Sequence, residues 1–120
     1  MVGLNDTIGK SAPYVSESPT SKAAARLVNS RVGNQTCKVI QAILLSKNGM
    51  TRYELSKQLG IKDSAVDARV WQLKKDGFVY EPGEDRTTDT GSPAKVVKLT
   101  EAAITEMYKD KILFDKIVFA

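Results

Sequence analysis

Residues 51–79 constrain the fold more than any other stretch, because they fix where two helices start and stop within one short span. Thr51 and Glu54 stand in a Thr-x-x-Glu capping box, in which the hydroxyl and the carboxylate satisfy orphan amides. A helix therefore begins near Arg52. It is expected to stop at Gly60, where the missing Cβ lets the backbone turn left-handed without a steric penalty. Asp63 or Ser64 is expected to cap the next helix, with Ser64 and Asp67 repeating the box, and Gly77 ends it. Leu55 and Leu59 share one helical face, Val66, Val70 and Leu73 share another, and Ile61 closes the two on each other.

Two helices crossed at a tight, glycine-containing turn make a helix-turn-helix unit. Such a unit pushes its second helix outward far enough to enter a major groove, with its N-terminal residues at the base edges. Helix 63–76 is therefore read as a nucleic-acid reading element. Its Ser64, Ala65, Asp67, Ala68 and Arg69 lie off the apolar face. Small residues let the backbone approach bases, and arginine can grip guanine O6 and N7 in a bidentate pair. Neither Asp63 nor Asp76 is four residues from Arg69, so no surface ion pair of that spacing competes for it. Asp67 is read as negative charge favoured near a helix N-terminus. Trp71, the only tryptophan, is expected to pack beneath the following strands or the N-terminal helix, with partner contact as the alternative.

Composition narrows the chemistry. At 120 residues and 42% apolar content the chain can bury one small core. The single Cys37 leaves no internal disulfide and no cysteine-built zinc site, and there is no histidine. The commonest general base is absent, and no calcium-loop spacing of carboxylates occurs. No enzymatic activity, no metal and no cofactor are therefore expected. No membrane association is expected either, since no segment could span a bilayer and no basic region with an apolar run opens the chain.

Charge is uneven. Residues 1–62 carry 9 basic and 3 acidic side chains, net +6, and residues 63–120 carry 9 and 11, net −2. Phosphate neutralisation supplies most non-specific DNA affinity, so the favourable charge sits on the first half. Arg52, Lys57 and Lys62, at the starts and ends of the helix pair, are the expected backbone contacts. With Arg86 and Lys95 further on, they would neutralise about four phosphates, a log-log salt slope near −3.6, and Thr87 between them is a further expected DNA contact.

In chain order, residues 1–17 are polar and turn-rich and are read as a mobile tail. Ser18-Pro19 opens an alanine-rich helix running to about Ser30, and Gln35 to Lys47 form a support helix whose stripe is Val39, Ile40, Ile43 and Leu44. Strands follow over Phe78-Val79-Tyr80 and Ala94 to Leu99, joined by a polar loop, and Thr100 caps a further helix. Residues 18–110 are read as one domain. Residues 111–120 form an apolar extension, of which 112–120 either dock on a second copy as a homodimer contact or pack on their own domain.

This order of elements, matched over residues 35–100, resembles the winged helix-turn-helix superfamily. Leu73-Lys74-Lys75-Asp76-Gly77-Phe78-Val79 resembles its Leu-x-x-x-Gly-Leu-Val junction between recognition helix and strand. The segment from Arg86 to Thr100, and the leader Ser18-Pro19-Thr20-Ser21-Lys22-Ala23-Ala24, look like those of small winged-helix proteins common in bacteriophage genomes. The resemblance implies an α+β, mainly helical fold, a three-helix core plus a two-stranded wing. It implies a double-stranded DNA-binding transcriptional regulator of phage type in a bacterial host cytoplasm, and Arg69 falls where that group carries a recognition-helix arginine. The alternative is a winged-helix module that binds no DNA and docks on a host protein of the transcription or replication machinery.

Overall fold

The computed structural model describes residues 18–29, 34–88 and 91–120. The expected tail, 1–17, lies outside them. Among the described residues six helices and four short strands follow in order: α1 (Pro19–Asn29), α2 (Asn34–Leu45), β1 (Met50–Thr51), α3 (Arg52–Leu59), α4 (Asp63–Lys75), β2 (Val79–Tyr80), β3 (Asp85–Thr87), β4 (Pro93–Leu99), α5 (Glu101–Lys109) and α6 (Lys111–Val118). None of these helices is long and apolar enough to cross a membrane.

The capping box at the start of α3 closes in both directions. The Glu54 amide donates to Thr51 Oγ1 at 3.1 Å, and the Thr51 amide donates to Glu54 Oε1 at 3.0 Å. Gly60 ends the helix in the left-handed conformation, φ +67°. The start of α4 departs from the sequence reading. Lys62 is the cap residue and no side chain caps the helix, so Asp63 is already its first residue, where a carboxylate meets the positive end of the helix dipole. The Ser64–Asp67 box does not form, because Ser64 is already inside the helix; Asp67 lies 3.5 Å from the Arg52 guanidinium.

One core joins the pieces. Leu55 of α3, Val66, Val70 and Leu73 of α4, Val39 and Ile40 of α2, and Phe78 beyond α4 are all buried. Strand β4 is the centre of a four-stranded antiparallel sheet, flanked by β1 and β2, with β3 pairing alongside its N-terminal part. The registers are Met50 opposite Val97, Val79 opposite Leu99 and Arg86 opposite Ala94. Two of these strands were not expected. The segment read as polar loop contains β3, and β1 is two residues long.

The C-terminal segment belongs to the same core. Asp110 caps α6 by accepting from the amides of Ile112 and Leu113, and the buried Leu113 and Ile117 face the interior. Lys116 donates to the last carbonyls of α1, Leu27 and Val28, at 2.8 and 3.0 Å, which fastens α6 across that helix end. Residues 111–120 are thus not an appendage. The other face of α6, with Ile112 and Phe119, is exposed.

Candidate nucleic-acid interface

The end of α4 is fixed to the rest of the domain by hydroxyls. Thr20 of α1 donates to the carbonyls of Asp76 and Gly77, at 3.1 and 3.4 Å, and Thr100 donates to Gly77 at 2.6 Å. Neither contact was legible in the sequence. Held this way, α4 buries Val66, Val70 and Leu73 and turns Ser64, Asp67, Ala68, Arg69, Trp71, Gln72 and Lys75 to solvent, with Ala65 half-buried. The stripe most opposed to the core is Ser64, Ala68, Trp71 and Lys75, at spacings of four, three and four residues.

Trp71 corrects the sequence reading. It is 60% exposed and does not pack beneath the strands or α1. Five residues after Val66 is about 140° around a helix, so adjacency to Val70 in sequence is not adjacency in space. Lys75 holds its Nζ 5.2 Å from the centre of the indole. The Ser64–Ala68–Trp71–Lys75 spacing was the signal available in the sequence.

The charged groups divide into those committed internally and those left to solvent. Arg52 pairs with Glu81 at 2.7 Å and with Asp67 at 3.5 Å, and Lys74 meets the other oxygen of Glu81 at 2.9 Å. Burial pushes the Glu81 carboxyl up, but the hydrogen bonds and charges of Arg52 and Lys74 outweigh it and hold the group below its ordinary value. Glu81 is therefore ionised near neutral pH, and this cluster ties the start of α3 to the middle of α4. Asp76 at the far end of α4 is paired with Arg26 at 2.8 Å. The acidic residues that make α4 look neutral are mostly answered within the fold.

Arg86 is committed too. Its guanidinium donates to Glu54 Oε1 at 2.7 Å and to the carbonyls of Asn48 and Gly49 at 3.1 and 3.4 Å. Arg52 and Arg86, expected as phosphate contacts, thus serve first as internal clamps, because each has a glutamate placed opposite by the fold. Lys57 is exposed, with its Nζ 5.6 Å from the Tyr53 ring centre. Lys62, Arg69 and Lys95 are exposed and make no ion pair among the described residues, and Thr87 is exposed on β3.

No protein-family model matches the chain. No curated protein matches it either. Solved structures do. Apo wild-type MarR from E. coli superposes with a TM-score of 0.51 at 19% identity, over 83% of this chain and 78% of that one. S. aureus MepR in its complex with DNA superposes with a TM-score of 0.50 at 15% identity, over 82% and 75%. The fold is a winged helix-turn-helix. In this winged helix α2, α3 and α4 are the three-helix core, and the β3–β4 hairpin is the wing. Arg86, in the middle of β3, anchors the wing to the capping box of α3. Lys95, directly opposite Asp85 in the ladder, is the wing's outward cation.

Proposed function

We propose that this winged helix binds duplex DNA, reading the major groove with α4 and touching the backbone with the wing. The observation that carries the reading is the outward stripe of α4. Small Ser64 and Ala68 allow close approach near the helix start, and the acidic neighbours Asp67 and Asp76 are already paired. Arg69, exposed at the margin of the core face of α4, supplies a bidentate donor, and Lys57, Lys62, Lys75 and Lys95 supply backbone contacts. A DNA complex of a structural neighbour supports the same use of the fold. The role is transcriptional regulation without catalysis, and the wing and leader segments support a regulator of bacteriophage type, acting in a bacterial cytoplasm.

Fluorescence anisotropy with a mixed-sequence duplex tests the proposal. Four lysines on as many phosphates give a log-log salt slope of about −3.6. Arg69→Ala is expected to weaken binding roughly tenfold, the scale of one lost base contact. Absence of binding at low salt would remove the DNA reading and leave docking on a host protein as the alternative.

A homodimer is the assembly proposed. Ile112 of α6 and Phe119 just beyond its end are 63% and 80% exposed and, seven residues apart, stand on one side of the helix, large apolar groups that a second copy would cover. Because Leu113 and Ile117 are core residues, removal of the whole segment would unfold the domain and decide nothing. Ile112→Asp with Phe119→Asp leaves the core intact. The native mass in solution is expected to halve in that variant, and an unchanged mass would exclude this contact.

A further inference from the structure

We infer that Trp71 is a base-contacting residue of α4 that favours thymine, packing its indole against the 5-methyl group in the major groove while Lys75 reaches the adjoining phosphate. The inference rests on the DNA-binding reading and adds to it the chemistry of one contact. A lone exposed apolar side chain is ordinary, so exposure alone would mean little. What distinguishes Trp71 is its company. It is the only large apolar group on a stripe whose earlier members, Ser64 and Ala68, are small.

That order fits a helix docked by its N-terminal end. Trp71 lies about 10 Å along the axis from Ser64, where a helix entering at an angle has lifted from the groove floor. Close to the floor a short side chain suffices; further along only a long one reaches the bases. The neighbouring polar groups are held elsewhere: Asp67 faces Arg52, and the Gln72 amide donates to Asp76 Oδ1 at 3.1 Å. No hydrogen-bonding side chain of those two competes for the same base edge. An indole in this place meets the one apolar feature the major groove offers, the methyl of thymine. The Lys75 ammonium, 5.2 Å from the ring centre, sets a positive charge at the flank of the same ring.

The chain has one tryptophan, so its emission reports this residue alone. Wild type, Trp71→Ala and Trp71→Phe would be titrated by anisotropy with a labelled mixed-sequence duplex and with the same duplex carrying uracil for thymine. Wild type is expected to prefer the thymine duplex by about fourfold for each methyl it buries. Trp71→Ala is expected to bind the thymine duplex roughly tenfold more weakly, the scale of one base-pair mismatch, and to lose the thymine preference. Trp71→Phe keeps part of both. Tryptophan emission changes saturably with duplex and becomes shielded from acrylamide. Equal binding of the two duplexes by wild type overturns the thymine assignment. Unchanged affinity in Trp71→Ala, or emission unmoved while anisotropy reports a complex, overturns the contact and leaves the indole for a protein partner. If wild type binds neither duplex at low salt, the DNA reading itself fails and this inference falls with it.

Discussion

Phe78→Ala is expected to cost about 4 kcal/mol, the range for removing a fully buried ring from a core that cannot collapse around the void. Phe78 is 0% exposed and sits where α4 hands over to the sheet. Its amide donates to Leu73 at 2.9 Å, and its carbonyl accepts from the Thr100 amide at 2.9 Å. The backbone of Phe78 is thus held by the elements that orient α4, and its ring by the core. Small domains have only about 5–15 kcal/mol of stability, so this variant stands close to unfolding. Urea denaturation of both proteins measures the difference. A loss below about 1 kcal/mol would mean that the core repacks and that Phe78 does not fix the helix, since such large-to-small changes ordinarily cost several times that.

Gly49→Ala is expected to cost about 3 kcal/mol, combining backbone strain with overpacking. Gly49 has φ +82°, and a Cβ there would lie 2.7 Å from the Val97 carbonyl oxygen and 2.7 Å from Val96 Cγ1. The carbonyl belongs to the ladder and cannot rotate away. The chain must instead part β1 from β4, loosening the carbonyls that Arg86 uses to seat the wing. Gly60→Ala is the control. Its φ is +67° but an added Cβ meets nothing within 4 Å, so only strain remains, about 1 kcal/mol. Equal losses in the two variants by urea denaturation would show that the contact with β4 is not the cause.

Local chemistry in this chain was legible from sequence where a side chain acts on its own neighbours. The Thr51–Glu54 box, the Gly60 stop and the Thr100 cap all act within a few residues, and each has the expected geometry. Long-range pairing was not legible. Nothing local to Arg52 or Arg86 names Glu81 or Glu54, which lie 29 and 32 residues away, so both arginines read as surface cations. Strand β1 is too short to show an alternation. At the start of α4, Asp63 and Ser64 both have capping chemistry, and only the backbone shows that Lys62 holds the position. The C-terminal segment mixed two faces: Leu113 and Ile117, four apart, point inward, while Ile112 and Phe119 point out.

The placement of Trp71 shows how a candidate site can be misread from a correct fold. Phase along the helix, not proximity to a buried residue, decides which side chains meet a partner. Arg69 was chosen for its chemistry, and Trp71 was expected to pack beneath the strands or the N-terminal helix because it follows Val70, with partner contact as the alternative. The phase of α4 instead puts the indole on the outermost stripe.

Under the proposed function, duplex DNA docks on the outward face of α4 and on the wing. Amide spectra of the isotope-labelled protein titrated with a mixed-sequence duplex at low salt test it residue by residue. Shifts are expected to concentrate on residues 62–75 and around Lys95, with Ile112 and Phe119 unmoved. Shifts centred on α5 and α6, or none at all, would contradict it.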